Sequence, residues 1–582
     1  MNKLLILMLT LVSLNTYAQF KEPLDPKKKL TDQYAWQKLE KNLYVHFVDS
    51  DFSLSKHNVP HDSTIQKTWK ASAWAGETVN TQLAVWTNNS DYNHSTLSLS
   101  TSALQSTKSN ISKDNIQFTP IAYVISDDPS KLKSACGINV ILDSTLVADR
   151  ILSGNSIAFE SGEVRPLWLS ITIPTEAKPG LYSGEVKVQI SNEKSKKEVT
   201  IPYTVQVSDH QLAKPADWEF HLDLWQNPYS SARYYNLEVF SKAHLEKIKP
   251  SMQRLAAAGQ KNITATLIYD PWNSQTYDKY DAMIKWVKKK DGSWSYDYSL
   301  FDKWVEYMHS IGIKEYINCY SMIPWNLSFY YFDENTQKRE VLKANPEEQA
   351  YADHWYPFLK DFAAHLKEKG WFTKTTIAMD ERPMKAMQAA IRIIKKADPD
   401  FQISLAGYYH EELSNDIVDY SIPFRENMTK EVLAARKAKG YKTTSYTCCT
   451  EIFPNTFTSS GYYEPVYMIV NTIQRGFDGY LRWAYDCWNK DPLSDTRFGP
   501  WAAGDTYLVY PENETSIRFE KLREGIQTVE KIKALRKMLS ENGKKQELEN
   551  LEIELQTFGN KNINRALIPA QVKALKARIN SL

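Results

Sequence analysis

The 582-residue chain has little cysteine, no excess of either charge and no long apolar run beyond its first residues. Its five cysteines are Cys136, Cys319, Cys448, Cys449 and Cys487, an odd, sparse set without the spacing of a disulfide framework or a zinc site. No structural metal is therefore expected, and one disulfide is possible; no organic cofactor is expected either. Lys plus Arg number 71 against 69 Asp plus Glu, a formal net charge of +2, with no long single-sign block. Nothing in that balance selects nucleic acid or an anionic membrane surface as a partner. No stretch reaches the roughly 20 apolar residues of a membrane helix, so no membrane insertion is expected.

What the chain does have is aromatic side chains, at 12% of residues, including 17 Trp and 34 Tyr. Such an excess suits surfaces that stack on the flat apolar faces of sugar rings, although ordinary core packing accounts for most of these side chains. The N-terminus has a basic start at Lys3, an apolar run from Leu4 to Val12 and a small-residue exit at Thr16-Tyr17-Ala18. This is the pattern of a secretory leader over residues 1–18, cleaved after Ala18. No cysteine lies near that point to accept a lipid, which predicts an exported protein, periplasmic or secreted.

The length exceeds what one hydrophobic core organises, so at least two domains are expected. From about residue 30 to 212 short runs alternate apolar and polar residues, as in Thr81-Gln-Leu-Ala-Val-Trp86, Leu167-Trp-Leu-Ser-Ile-Thr-Ile173 and Gly184-Glu-Val-Lys-Val-Gln-Ile190. Strands of that length and period predict an N-terminal antiparallel β-sandwich. The polar segment 208–217, with Pro215, marks the boundary. From 218 to 540 eight strand-like segments, at 218–225, 262–269, 316–322, 375–379, 402–406, 417–422, 443–447 and 479–485, alternate with helical patterns. That order predicts a (β/α)8 barrel, with an irregular doubly wound sheet as the alternative. A charged helix at 516–541 is expected to close the barrel, and residues 541–582 to form a C-terminal helical extension.

Barrel enzymes act at the carboxyl ends of their strands. The fourth segment ends in Ile377-Ala-Met-Asp-Glu-Arg-Pro383, two acids between a strand and a helix. Glycoside cleavage needs a carboxylic acid to protonate the leaving oxygen and a group to stabilise charge at the anomeric carbon. Asp380 and Glu381 are too close in sequence to flank a bond as an opposed acid and nucleophile, which requires carboxyls roughly 5 Å or more apart. A 2-acetamido group on the substrate supplies the missing nucleophile if Asp380 holds the amide nitrogen while Glu381 protonates the leaving group. The competing structural use is that Asp380 caps the next helix and Glu381 pairs with Arg382.

The eighth segment ends in Leu481-Arg-Trp-Ala-Tyr-Asp-Cys-Trp488. Period 2 puts Trp483 and Tyr485 on one face, with Trp488 in the loop beyond, as candidates to floor and wall a sugar subsite. Inward-facing barrel aromatics also serve as core. Further candidates at strand ends are His221, Asp223, Asp270, Trp272, Tyr320, Trp325, Tyr408, Tyr409, Arg425 and Tyr446.

Together, Met379-Asp-Glu-Arg-Pro383, Leu481-Arg-Trp-Ala-Tyr485 with Trp488, and Gly504-Asp-Thr-Tyr-Leu-Val-Tyr-Pro511 with Ser516-Ile-Arg-Phe-Glu520 resemble glycoside hydrolase family 123. The likeness implies a β-sandwich followed by a (β/α)8 barrel, and an exo-acting, retaining β-N-acetylgalactosaminidase working through an oxazoline-like intermediate on glycans of the glycosphingolipid type. It implies Asp380 as the acetamide-orienting residue and Glu381 as the acid/base. Trp483 becomes a candidate for the acetamide pocket, and Asp505 for hydroxyl binding or loop ordering. Specificity for N-acetylglucosamine or another terminal sugar, and a non-catalytic glycan-binding protein, are the alternatives.

Overall fold

The structure is a computed structural model describing residues 22–26, 33–128, 136, 144–561 and 563–582. The expected leader, residues 1–18, lies outside the described residues.

The first domain packs two sheets face to face. One runs in the order Ile65–Gln66, Tyr44–Val48, Thr78–Trp86, Val164–Thr172, Ile116–Asp127, Ser144–Ile151. The other is built on Ser156–Phe159, Ser95–Thr101, Gly180–Ser191, Lys196–Gln211 and Trp69–Ala75. Alternation does the work in Gly180–Ser191, where Tyr182, Val186, Val188 and Ile190 point into the core and the residues between them outward. The pairing is antiparallel except between Lys196–Gln211 and Trp69–Ala75, which run parallel.

The second domain contains the eight expected strands: β1 (His221–Leu224), β2 (Asn262–Thr266), β3 (Tyr316–Tyr320), β4 (Thr375–Asp380), β5 (Gln402–Ala406), β6 (Asp419–Pro423), β7 (Lys442–Tyr446) and β8 (Gly479–Arg482). They form one parallel sheet in the order β1-β8-β7-β6-β5-β4-β3-β2. At the β1–β8 seam a Cβ on Gly479 would lie 1.9 Å from the His221 carbonyl oxygen, so only glycine fits there. At the β1–β2 seam side chains replace much of the backbone ladder. Lys261 N–H donates to the Leu222 carbonyl at 3.0 Å, Leu224 N–H donates to Gln260 Oε1 at 2.9 Å, and Thr264 N–H donates to Gln226 Oε1 at 3.0 Å. The backbone groups that an open edge would leave bare are thereby satisfied, and the sheet closes into a near-barrel.

A four-stranded sheet, Trp294–Asp297, Lys285–Lys288, Ser328–Asp333 and Lys338–Lys343, is inserted after β2 and β3. Sequence patterning does not announce it. The charged helix Ile517–Glu541 is largely buried, because its charges are spent on ion pairs. Lys521 lies 2.5 Å from Asp51 of the sandwich and 2.9 Å from Glu524, and Lys531 lies 2.9 Å from Glu77. Two shorter helices, Lys545–Leu555 and Ile568–Ser581, follow it.

Candidate active site

At the carboxyl ends of the strands lies a cleft of about 300 Å³ lined by side chains from most barrel loops, among them Trp225, Trp272, Trp325, Tyr446, Trp483 and Trp501. Asp380 and Glu381 lie on its wall where β4 ends. The following helix starts at Met384 behind Pro383, with no side-chain cap, so Asp380 is not spent as a helix cap. Arg382 pairs with Asp380, not with Glu381.

Asp380 is 8% exposed. Its Oδ1 lies 2.7 Å from Arg382 Nη2, and its Oδ2 accepts a 3.2 Å hydrogen bond from Trp325 Nε1. Burial raises its pKa from the ordinary carboxyl range to about 6, against the pull of Arg382 and the Trp325 bond, and the Glu381 charge pushes the same way as burial. Arg382 is itself fixed: Nε donates to the Ile323 carbonyl at 2.7 Å and Nη1 to the Glu381 carbonyl at 2.6 Å.

Glu381 is half-buried, and the hydroxyl of Tyr446, from the end of β7, donates to its Oε1. Burial first, and then the Glu381 charge, push the Tyr446 hydroxyl far above the ordinary phenol range, so it remains a donor. Tyr408, 54% exposed, stands at the rim, and its hydroxyl is raised chiefly by the Glu381 carboxylate.

The floor is aromatic. The Trp225 ring centre lies 5.1 Å from Trp272 and 4.4 Å from Tyr320, and the Trp483 ring meets Trp501 edge to face at 5.8 Å. Beneath them Arg482 and Asp505 form a buried ion pair at 2.7 Å, and Trp483 Nε1 donates to the same Asp505 oxygen at 3.4 Å. Gly504, at φ +78°, precedes Asp505 at a point where a Cβ would lie 2.3 Å from Thr458 Oγ1. Asp505 therefore orders the loop under the cleft.

Of the residues anticipated from sequence, Asp380, Glu381, Trp483, Tyr446, Asp505, Trp272 and Trp325 come together in the cleft, and Tyr408 stands beside it. Tyr485 and Trp488 do not line it. β8 ends at Arg482, so the period-2 relation that would align Tyr485 with Trp483 stops there. Tyr485 is fully buried, donating to the Ser251 carbonyl at 2.9 Å. Trp488 is 2% exposed, packs against Tyr234 and Tyr235, and donates to the Val509 carbonyl. Sequence reasoning does not single out Trp225 or Trp501, nor the pairing of Cys136 with Cys449, a disulfide whose two residues both line the cleft. Among the described residues no cluster of three or more His, Cys, Asp or Glu is placed to hold a metal ion.

Residues 225–535 match the model of the glycoside hydrolase 123 catalytic domain, and residues 47–190 that of the glycoside hydrolase 123 N-terminal domain. No curated protein sequence matches the chain significantly. Among solved structures, a family 123 glycoside hydrolase from Clostridium perfringens, studied for glycolipid glycan hydrolysis, superposes with a TM-score of 0.82. It is 27% identical over 93% of this chain and 97% of its own. A Parabacteroides merdae β-glucuronidase, 8% identical over 78% of this chain and 51% of its own, reaches a TM-score of only 0.29. With the catalytic-domain model covering more than half the chain and the fold matched along nearly all of it, the protein belongs to glycoside hydrolase family 123 and is a glycoside hydrolase.

Proposed function

We propose that the protein is an exo-acting, retaining β-N-acetylgalactosaminidase that removes terminal β-linked N-acetylgalactosamine from glycans of the glycolipid type by substrate-assisted catalysis. The observation that carries this reading is the division of labour in the adjacent acids. Asp380 is buried and clamped by Arg382 and Trp325, whereas Glu381 is more open and held by one hydrogen-bond donor, the Tyr446 hydroxyl. A retaining double displacement needs a nucleophilic carboxylate across the bond from the acid. The only other carboxylate lining the cleft among the described residues is Asp505, which is fully buried and committed to Arg482. The substrate's own acetamide oxygen then serves as the nucleophile. Asp380, ionised above about pH 6, accepts the amide N–H and stabilises the positive charge that develops as the ring closes. Glu381 gives its proton to the leaving oxygen and takes one back from the water that opens the intermediate. Trp483, Trp272 and Trp225 provide apolar faces for the sugar and its acetamide methyl, and Tyr408 a face at the rim.

The glycolipid-type substrate is taken from the Clostridium perfringens relative. Export to the periplasm or outside the cell belongs to the same proposal, supported by the leader pattern and by a disulfide, which persists in oxidising compartments. Proton NMR of the first-formed sugar tests the mechanism. The β-anomer must appear before mutarotation, and initial α-anomer would rule out an acetamide-derived intermediate.

A further inference from the structure

The disulfide joins residues 313 positions apart. Cys136 belongs to the connection between the sandwich strands Ile116–Asp127 and Ser144–Ile151, and Cys449 to the loop that follows β7. Both sulfur-bearing residues line the cleft together with Cys448 and Thr450. The same sandwich strand grips the loop after β8. Ile125 N–H donates to the Ser494 carbonyl at 2.8 Å, Thr496 N–H to the Ile125 carbonyl at 2.9 Å, and Ala503 N–H to Asp127 Oδ2 at 2.7 Å. The first domain therefore fastens two of the loops that form the cleft of the second.

The fastened β7 loop lies on the Glu381 side. Tyr446, which donates to Glu381, immediately precedes it, and the Glu381 charge acts on Glu451 within it and on Tyr408 at the rim. Asp380 faces Trp325 instead. A general acid sits beside the leaving oxygen, so the sugar beyond the cleaved bond lies on the side of the disulfide. We infer that the Cys136–Cys449 disulfide is a specificity determinant: it fixes the β7 loop, and through it the sandwich, as the wall that receives the sugars beyond the scissile bond.

The wall is built to stay put. Within the loop, Cys448 N–H and Thr450 Oγ1 donate to Glu451 Oε2 at 3.1 and 2.8 Å, and Asn455 Nδ2 donates to the Cys448 carbonyl at 2.8 Å. Burial pushes the neighbouring Cys448 thiol up to about 12, which keeps it protonated and a poor attacker of the adjacent disulfide.

This inference rests on the proposed substrate class. Its test compares wild type with the Cys136→Ser/Cys449→Ser double variant on two substrates. One is 4-nitrophenyl β-N-acetylgalactosaminide, whose leaving group is small. The other is an oligosaccharide with terminal β-N-acetylgalactosamine followed by at least two sugars. The expected result is a fall of about tenfold in kcat/KM for the oligosaccharide, carried by KM, with the aryl glycoside within about twofold of wild type. A variant merely less stable loses both activities together, and an unchanged ratio in an active protein overturns the inference. Should the variant not fold, wild type opened with a phosphine reductant and checked by thiol titration gives the same comparison. Wild type inactive on both substrates overturns the functional reading itself.

Discussion

The Arg382 guanidinium lies 2.7 Å from Asp380 Oδ1 and 4.1 Å from the centre of the Trp325 ring, while Trp325 Nε1 donates to the other Asp380 oxygen. The three side chains form a closed clamp that fixes the carboxylate's direction. Burial and the clamp oppose one another in setting its charge, and burial prevails, leaving Asp380 at about 6.

That value gives a pH dependence with a definite sign. In the proposed mechanism Asp380 accepts the amide N–H only when ionised, so kcat/KM should fall as pH drops through about 6. In Asp380→Asn this acidic limb should disappear along with about 10²–10³-fold of activity. A pH–rate profile of both proteins checks it, and a limb retained in the variant assigns the titration elsewhere.

Glu381→Gln should cost about 10²–10⁴-fold on glycosides with poor leaving groups and far less on activated aryl glycosides. A series of aryl N-acetylgalactosaminides of graded leaving-group acidity measures this as a steeper dependence in the variant. Equal losses across the series would remove Glu381 from the role of acid.

Much of this arrangement is legible in the sequence, and what is not has physical reasons. The eight barrel strands announce themselves as apolar runs alternating with helical patterns, and the acid pair stands out because charge ends an apolar run at β4. The end of β8 does not: Tyr485 and Trp488 continue an aromatic run after the strand stops at Arg482, and the chain turns both into the core. The inserted sheet is hidden because Lys285–Lys288 and Trp294–Asp297 are half-exposed and short, with no clean alternation. Ile517–Glu541 reads as a charged helix, yet its charges are buried because their partners, Asp51 and Glu77, come from a domain more than 400 residues earlier. Trp225, Trp501 and the Cys136–Cys449 pair meet only through tertiary structure.

Asp505→Ala should act on the fold before it acts on chemistry. It leaves the fully buried Arg482 guanidinium without its counter-ion, a change that costs about 3–5 kcal/mol. Denaturant unfolding should report that loss, and a variant of unchanged stability would contradict the view that this pair orders the loop beneath Trp483.

Glu22 carries a separate linkage. Burial alone would raise its pKa, but Arg165 and Lys56 override it and lower the carboxyl from its ordinary value to about 2. A depressed folded-state pKa gives stability that is present above the unfolded value, near 4.5, and lost as pH falls toward 2. Glu22→Gln should therefore unfold more easily at pH 7, by up to about 3 kcal/mol, and match wild type near pH 2. Thermal unfolding across that range reads the difference.

Whether the substrate supplies its own nucleophile is read by removing that group. Purified protein is assayed on the 4-nitrophenyl β-glycosides of N-acetylgalactosamine, N-acetylglucosamine and galactose, with Glu381→Gln beside it. Substrate assistance predicts nitrophenol release from the N-acetylgalactosaminide and none from the galactoside, which lacks the acetamide. Hydrolysis of the galactoside at a comparable rate would contradict it.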